Sequence, residues 1–400
     1  MSKTASPGPK TAGSDPQGTI PLEVIASLIL FAAAIAALIA ANSPIAAPFK
    51  SFWELPFTIG LGDFAITDSL KLWIKNGLMA IFFLHVGLEI KNEFMEGALS
   101  DRKRAILPLV AAVGGIAVPA LIYLVMVGAD RDLVRGWAIP TATDIAFAIG
   151  VVGLLGSRVP PALKAFLLAV AVIDDLAAIT IIAVFYSGAI QLAPLGIAVA
   201  ATIGLMVLSS VRVTLIAPYL AVGLLLWIAL YYSGLSPTLA GVITAAFVPM
   251  GDGQGGSPLH RLEGLLRRPV LFVIMPIFAL ANAGVAFSGT ASVTSVLAYS
   301  VALALIIGKP AGILLAVALA TWTGLAAMPR DTGWRQMAGA GALAGIGFTM
   351  SLFVGYLAFG DGPAMDQVRL GVLTGSAISA LIGAALLWPR AESRPSARSA

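Results

Sequence analysis

The stretch LKAFLLAVAVIDDLAAITIIAVFY, residues 163–186, places two adjacent acidic residues inside a run that is otherwise almost entirely apolar. An α-helix of this length extends about 36 Å, which is enough to cross the roughly 30 Å hydrocarbon layer of a membrane. Asp174 and Asp175 would then lie near the middle of the layer, where a carboxylate is costly to place. The stretch therefore predicts a transmembrane helix that carries ionisable groups for a functional reason.

The composition of the whole chain places this helix in a membrane protein. The 400 residues are 59% hydrophobic and only 11% charged, with a mean hydropathy of +0.96. Ordinary soluble domains carry about 25% charged residues, so this chain has too few charges to coat a soluble fold. The composition excludes the soluble, fibrous and disordered classes and predicts an all-α polytopic membrane protein.

The rarest residue types exclude several kinds of chemistry. The chain has no cysteine, which excludes disulfides, thiolate metal sites and thiol nucleophiles. Its two histidines, His85 and His260, are far apart in sequence and argue against a histidine metal site. We expect no cofactor, and we expect the basic residues to report membrane topology and not a nucleic-acid partner.

Apolar runs separated by polar loops predict about twelve transmembrane helices in one domain, residues 21–389. The flanking segments 1–20 and 390–400 are predicted to be cytoplasmic tails, the first of them disordered. The first run is longer than the apolar part of a typical signal peptide, so it is interpreted as a retained helix. The predicted spans are Leu22–Ala41, Leu72–Ile90, Ala105–Val127, Trp137–Leu155, Leu163–Tyr186, Leu192–Ser210, Val213–Tyr232, Gly234–Pro249, Pro269–Ala286, Val296–Trp322, Arg335–Leu357 and Asp366–Trp388.

The basic residues are distributed unequally between the two sides of this arrangement. Seventeen of the 24 Lys and Arg residues lie on the side of the two termini, and Lys75 and Lys309 lie within spans. The remaining five are Lys50, Lys71, Arg131, Arg135 and Arg369. By the positive-inside rule, both termini are predicted to be cytoplasmic.

The loop between the first two spans has a pattern of its own. Residues 57–67, FTIGLGDFAIT, contain two short β-prone runs around a Gly-Leu-Gly-Asp turn, which predicts a β-hairpin. The hairpin could pack on its own chain, or it could protrude and pair with a second protomer, because an isolated hairpin is marginally stable.

The most informative ionisable residues inside the apolar spans are these four: Asp144, Asp174, Asp175 and Lys309. Each costs about 2.5–3.5 kcal/mol near a helix centre, so the four together cost roughly 10–14 kcal/mol. A structural Asp–Lys pair could account for two of them but leaves two acids over. Three carboxylates and one ammonium favour a cation or proton pathway.

The two adjacent acids are predicted to have different surroundings. Neighbouring helical residues point about 100° apart, so Asp174 and Asp175 cannot both face one partner squarely. One of them can pair with Lys309 while the other faces a water-filled cavity.

Two spans are poor continuous helices. Pro140 interrupts the fourth span close to Asp144, within a Thr-Ala-Thr-Asp stretch that can bond to its own backbone. The eleventh span contains a cluster of glycines, which could also serve close helix packing: Gly339, Gly341, Gly345 and Gly347. Interrupted spans in corresponding halves of a chain predict inverted-topology repeats whose discontinuous helices, here spans 4 and 11, cross near the membrane midplane.

Taken in order, these motifs resemble the NhaA family of bacterial sodium/proton antiporters over nearly the whole chain. Each motif is weak alone, but their order is specific. That family is itself an established example of inverted repeats with broken helices. The motifs are residues 77–83 (GLMAIFF), 87–91 (GLEIK), 140–148, 173–176 (IDDL), 282–285 (NAGV), 308–310 (GKP) and 345–351.

The resemblance implies secondary active export of Na+ or Li+ in exchange for protons, for sodium and pH homeostasis. Two protons would enter per cation, which makes the exchange electrogenic. Asp175 would be the main cation ligand and proton carrier, with Asp174 beside it and Thr143 as a further oxygen donor. Lys309 would pair with Asp174 in the absence of cation, and Asp144 and Lys309 would offset the half-helix dipoles at the crossing. Membrane lipid and a second copy of the chain, held through the hairpin, are the expected partners.

The resemblance also implies activation at alkaline pH. Glu89, Glu93 and Glu263 match acidic positions implicated in that response, although a solvated acidic rim that attracts cations is an equal interpretation. The sequence departs from the family at Asn76, where relatives often carry Asp, and at Asn92, where a basic residue is expected. Ser236 replaces a histidine that some relatives have, so the pH threshold does not follow from the resemblance.

Other functional classes fit the sequence less well. A light-driven retinal pump would also use a buried lysine and an aspartate, but such proteins have seven spans, and Pro310 directly follows Lys309. A cation channel remains possible from the buried carboxylates alone. The sequence contains no P-loop, Ser–His–Asp set or metal cluster that would favour an enzyme.

Overall fold

The fold is taken from a computed structural model, which describes residues 21–60, 65–186, 188–251, 256–286 and 295–388. The predicted tails, residues 1–20 and 390–400, and residues 61–63 of the predicted Gly-Leu-Gly-Asp turn lie outside these ranges. The described residues are mostly helical, and the only strands among them are β1 (Pro56–Ile59) and β2 (Ile66–Ser69).

The helices follow the predicted apolar runs. The helices of the first half are α1 (Leu22–Ala41), α2 (Ala46–Glu54), α3 (Leu70–Met95), α4 (Arg102–Val127), α5 (Arg131–Val134), α6 (Ile145–Leu155) and α7 (Pro161–Phe185). Those of the second half are α8 (Leu192–Ser210), α9 (Ile216–Ser233), α10 (Leu239–Phe247), α11 (Pro258–Asn282), α12 (Val296–Trp322), α13 (Trp334–Ala344), α14 (Phe348–Phe359) and α15 (Pro363–Leu387). Two 3₁₀ segments, Arg135–Thr141 and Gly156–Arg158, flank α6.

Among the described residues, ten helical runs are long and apolar enough to cross a membrane, and the bent pair α13–α14 makes an eleventh. The multi-pass helical class predicted from the sequence is therefore confirmed. The eighth predicted span, residues 234–249, differs from the prediction, because its helix α10 has only nine residues and is about 13 Å long.

The shortening of this span has a local cause. Gly234 ends α9 in the left-handed region at φ 83°, and Pro237 lacks the backbone N–H that an earlier helix start would need. The segment still connects opposite ends of the bundle. The Ser233 carbonyl accepts from Gln191 N (2.9 Å), and the Val248 carbonyl accepts from Lys91 Nζ (2.7 Å). Three spans separate Lys91 from Gln191 along the chain, so these two contacts lie at opposite ends.

The predicted hairpin is confirmed. β1 and β2 pair antiparallel with Thr58 opposite Thr67, and the two hydroxyl oxygens lie 2.8 Å apart. Phe57 and Ile59 are 49% and 51% exposed, which is unusual for large apolar side chains in a sheet. Phe57 packs edge-on against Trp73, whose indole N–H donates to the Phe57 carbonyl (2.8 Å), so the ribbon lies against α3 while the described residues leave Ile59 exposed.

The third and tenth spans, α4 and α12, meet through glycines at their centres. A Cβ on Gly114 would lie 2.3 Å from the Gly312 carbonyl oxygen, and one on Gly312 would lie 2.1 Å from the Gly114 carbonyl oxygen. Only glycine allows this reciprocal backbone approach. The fourth and eleventh spans also contact each other, through Asp144 N and the Ile346 carbonyl (2.6 Å), so two pairs of spans that the predicted repeats make equivalent meet inside the bundle.

Three spans contain a single π-helical turn, a distortion that is frequent at functional sites. The turns are Ile74–Leu78 in α3, Val270–Ile274 in α11 and Ala304–Gly308 in α12. In α12 the turn directly precedes Lys309 and Pro310, whose ring would clash with the carbonyl of a regular preceding turn. The turn therefore helps to set the direction of the buried lysine.

Candidate functional site

The fourth span breaks where the sequence predicts it. A 3₁₀ segment that contains Pro140 ends at Thr141, whose hydroxyl donates to the Ala138 carbonyl (2.8 Å). Ala142 is extended (ψ 149°), and the helix restarts after Asp144, whose Oδ1 accepts from Phe147 N (3.0 Å). Asp144 is thus the N-cap of α6, a position that favours aspartate.

The eleventh span breaks at Gly345–Gly347, and its two halves α13 and α14 are bent by 43°. Both glycines have negative φ, so left-handed geometry is not their function here. A Cβ on Gly345 would lie 2.5 Å from the Leu305 carbonyl oxygen, and one on Gly347 would lie 2.1 Å from Ser351 Oγ. These glycines provide the space in which the broken segment passes α12.

The two breaks cross and bond directly to each other. Asp144 N donates to the Ile346 carbonyl (2.6 Å), and the Ser351 hydroxyl donates to the Ile139 carbonyl (2.7 Å). Backbone groups that lack helical partners at one break are therefore paired at the other, as a buried site requires.

Asp144 serves both halves of the crossing. Its Oδ2 accepts from the backbone N of Thr349 (3.1 Å) and from the Thr349 hydroxyl, while Oδ1 caps α6. One carboxylate therefore lies at the N-termini of α6 and α14, the positive ends of two half-helix dipoles. Both of its oxygens are engaged.

Lys309 lies at the opposite pole of the same crossing. Its Nζ is 2.7 Å from Asp174 Oδ2 and also donates to the Thr141 carbonyl, where the 3₁₀ segment ends. Both side chains of the ion pair are fully buried. The Thr143 hydroxyl lies 2.7 Å from Asp174 Oδ2 and 2.8 Å from the Ala344 carbonyl.

The structure separates the roles of the two adjacent acids. Asp174 turns toward Lys309 and Thr143, whereas Asp175 turns into a cavity of about 250 Å³. The Oδ1 atoms of both residues are buried and have no hydrogen-bond partner among the described residues. The Asp175 carboxylate at the cavity, with the Asp174 carboxylate beside it, provides oxygen donors of the kind that hard cations bind.

The cavity is lined by charged and polar groups from several helices. Asp144 and Asp175 form its deep end, and Glu89 lies on the wall contributed by α3. Arg267 of α11 and Glu23 of α1 also line it, and the guanidinium of Arg267 donates to Glu23. Arg267 is exposed, so this ion pair lies where the cavity meets the surface.

Of the three predicted pH-response residues, only Glu89 lines this cavity. Glu93 Oε2 accepts from Ala98 N (2.8 Å), and Glu263 Oε2 accepts from Asn92 Nδ2 (3.4 Å). Both are partly buried and lie outside the cavity wall.

Sequence reasoning missed three cavity residues: Glu23, His85 and Arg267. Glu23 and Arg267 lie at helix ends and look like ordinary surface charges. His85 was noted only as one of two histidines, although its position four residues before Glu89 places both on one face of α3.

A second cluster of buried charge was also missed. Lys75 is 0% exposed, lies 3.0 Å from the centre of the Tyr356 ring and 3.3 Å from Asp361 Oδ2. Arg369 and Lys71 also contact Asp361. The available signal was a lysine inside an apolar run. We call Lys71, Lys75, Asp361 and Arg369 the external cluster, from the predicted topology.

A polytopic bundle with two crossing broken helices, and with an unpaired buried carboxylate on an access cavity, has the architecture of a secondary ion transporter. Among the described residues, no group of three or more His, Cys, Asp or Glu side chains is arranged to hold a resident metal ion.

Comparison with known proteins identifies the family. The family model described as Na+/H+ antiporter 1 matches residues 18–387. The Na(+)/H(+) antiporter NhaA of Bordetella parapertussis is 47% identical over 387 residues, which cover 95% of this chain and 97% of the relative. The proteins of the same name from Shewanella loihica and Escherichia coli O1:K1 are 49% and 47% identical, with 90% and 92% of this chain covered and 93% and 96% of the relatives. The chain belongs to the Na+/H+ antiporter family of secondary transporters.

Proposed function

We propose that this protein exports Na+ or Li+ in exchange for protons and that Asp175 is the group for which the two ions compete. The observation that carries the proposal is the unpaired Asp175 carboxylate at the end of the access cavity, beside the Asp174–Lys309 pair. A protonated Asp175 cannot bind a cation as an anion, and a cation-bound Asp175 cannot hold a proton. Competition for one group couples the two fluxes.

The Asp174–Lys309 pair supplies a second exchangeable group. A cation bound at Asp175 would attract Asp174, and Thr143 already lies 2.7 Å from Asp174 Oδ2. Asp174 can then leave Lys309 and bind the cation, while Lys309 loses the anion that stabilises its charge. Release of a proton from Lys309 and of another from Asp175 gives two protons per cation.

Two protons per monovalent cation make the exchange electrogenic. One net positive charge then enters per cycle, and each 100 mV of inside-negative potential contributes about 2.3 kcal/mol to cation export. The proposal further includes activation at alkaline pH, a location in the bacterial inner membrane with cytoplasmic termini, and a role in sodium and pH homeostasis.

The protein is further proposed to be a homodimer that contacts lipid over its apolar surface. The exposed Phe57 and Ile59 of the hairpin support pairing with the hairpin of a second copy. Because the chain has no cysteine, Ile59→Cys introduces a single reporter. Disulfide crosslinking of this variant in membranes is expected to yield dimers, and exclusively monomeric protein would refute the hairpin contact.

The exchange is tested in inverted membrane vesicles that carry a preformed pH gradient. Addition of Na+ is expected to collapse the gradient with wild-type protein but not with Asp175→Asn. Asp132→Asn is the matched control, since it makes the same change at an exposed residue and should behave as wild type. Wild-type protein that is inactive at every pH would refute the function, and full activity in Asp175→Asn would refute the site.

The stoichiometry is tested separately with purified protein in liposomes. At a fixed Na+ gradient and a fixed pH gradient, an imposed potential is expected to change the direction of net Na+ movement. An exchange of one proton for one cation would be indifferent to the potential.

A further inference from the structure

His85 is a buried polar residue for which the exchange described above has no use. It is only 8% exposed, it lines the access cavity, and its Nδ1 has no hydrogen-bond partner among the described residues. Its sequence neighbours Leu84 and Val86 are buried apolar residues. An unpaired buried polar atom costs about 1–3 kcal/mol, so leucine would fill this position at lower cost.

The charged groups that line the cavity together with His85 are mostly acidic. Glu89 faces the same cavity from α3, Glu23 from α1, Asp144 from the fourth span and Asp175 from α7. Arg267 of α11 is the one basic group on the described wall, and it is paired with Glu23. Proton transfer through the cavity therefore passes among carboxylates and a single imidazole.

An imidazole has a property that these carboxylates lack. Its unperturbed charge change falls between pH 5 and 8, and its two nitrogens allow a proton to enter on one side of the ring and leave from the other. An unpaired Nδ1 is free to accept. The cavity volume of about 250 Å³ is sufficient for several water molecules between His85 and the deep carboxylates.

We propose that His85 is the proton-transfer group between Asp175 and the outer end of the cavity. This inference rests on the proposed exchange. Protonated Asp175 releases its proton through cavity water to His85 Nδ1, which leaves a carboxylate and an imidazolium. The imidazolium then releases the proton from Nε2 to water at the cavity mouth, which leaves the neutral ring protonated at Nδ1, and exchange of that proton with cavity water restores the Nε2–H tautomer before the next cycle.

This role also sets the order in which the proton leaves and Na+ enters the cavity. While the ring carries a proton, its positive charge opposes the entry of Na+ into the same cavity. Once the proton has left, the cavity regains its negative charge, and Asp175 is free to bind the cation. His85 would thus separate proton exit from cation entry in time.

The experiment compares two modes of transport in reconstituted liposomes. Exchange of Na+ for protons requires proton transfer, whereas exchange of radioactive Na+ for unlabelled Na+ does not. His85→Gln keeps a polar side chain but cannot carry a proton, and His85→Leu is the apolar variant of similar size. Met275→Leu, at another residue of the cavity wall, is the control for altered packing.

In both His85 variants the maximal Na+/H+ exchange rate is expected to fall about tenfold. This fall is smaller than the usual effect of removing a general acid or base, because cavity water takes over part of the proton transfer. Na+/Na+ exchange should stay within about twofold of wild type. The rate of the His85 variants should depend less on pH between about 6 and 9, and added imidazole should restore part of it.

The results that would contradict the His85 role differ from the result that would contradict the proposed exchange. Unchanged Na+/H+ exchange in both His85 variants would overturn the proton-transfer role. An equal fall of both transport modes would also overturn it and assign His85 a structural role. Failure of wild-type protein in both modes would instead refute the proposed function.

Discussion

The two groups of buried charge in this molecule differ in how completely they are paired. At the crossing, Asp174 and Asp175 each keep one buried oxygen without a partner, and Asp175 borders a cavity. In the external cluster, Asp361 receives three cations: Lys71 at 2.5 Å, Lys75 at 3.3 Å and Arg369 at 3.4 Å. The difference teaches that a carboxylate with an unpaired oxygen beside a cavity can exchange partners, whereas a carboxylate whose partners are all in place holds helices together.

The burial of the charges at the crossing and in the external cluster supports the same distinction. The Asp174–Lys309 pair is fully buried, whereas the Asp361 side chain is 43% exposed. The external cluster joins α3 to the loop between α14 and α15, with Lys75 over the Tyr356 ring. We expect it to close the external end of the bundle, while the unpaired acids at the other cluster carry the exchange.

The largest expected effect on stability follows from Lys309→Met. The substitution leaves the Asp174 carboxylate buried without its cation, which costs about 3–5 kcal/mol. The apparent melting temperature of the detergent-solubilised protein measures the loss. Adding Asp174→Asn should recover most of the stability without restoring transport. A Lys309→Met protein as stable as wild type would show that the pair does not hold the crossing together.

The next largest loss of stability is expected for Asp144→Asn. This variant tests the other pole of the crossing, where the carboxylate is fully hydrogen-bonded. Both oxygens of Asp144 accept hydrogen bonds, and an amide can accept with only one of them. One buried N–H, at Phe147 or Thr349, then loses its acceptor at a cost of about 1–3 kcal/mol. Thermal unfolding measures this cost. Thr349→Val is the milder control, since it removes the hydroxyl donor and leaves the carboxylate and both backbone bonds.

A smaller effect is expected when the external cluster is disrupted. A double-mutant cycle of Lys75→Met and Asp361→Asn should give a coupling energy of about 1 kcal/mol, at the lower end for contacting residues because Asp361 is partly exposed. The Na+ concentration for half-maximal exchange should stay within about twofold of wild type. If Lys75→Met instead abolished exchange as completely as Asp175→Asn, the comparison between the two clusters would be broken.

The smallest expected effect is on how steeply the melting temperature falls at acid pH. Burial opposes the charge of Asp361, but Lys75, Lys71 and Arg369 together hold the pKa of its carboxyl below the ordinary value. A lowered pKa in the folded state contributes stability above the ordinary pKa of about 3.9, and this contribution is lost as the pH falls through the folded value. Melting temperatures recorded downward from pH 5 should therefore fall less steeply for Asp361→Asn than for wild type. Parallel curves would show that the three cations do not favour the charged form.

The local features of the site were predictable because their causes are local. Pro140 breaks a helix through its ring, Asp144 follows as an N-cap, and clustered glycines permit the break at residues 345–347. The different surroundings of Asp174 and Asp175 follow from helical geometry alone. The eighth span was predicted less well, because Gly234 and Pro237 shorten its helix to Leu239–Phe247 although hydropathy continues to residue 249.

The sequence by itself determined the membrane class, the hairpin, the two broken spans and the inventory of buried ionisable groups, because composition and short-range stereochemistry control them. The resemblance implied the pairing of Lys309 with Asp174, which helix geometry alone left open between the two acids, and the tertiary structure shows it. Only the tertiary structure decided that Asp144 also caps α14 and that Lys75 meets Asp361. The physical reason is that helices such as α7 are apolar on nearly every face, so hydrophobic periodicity does not set their rotation. The rotation comes from packing against helices that are distant in sequence, and it determines which buried charges meet.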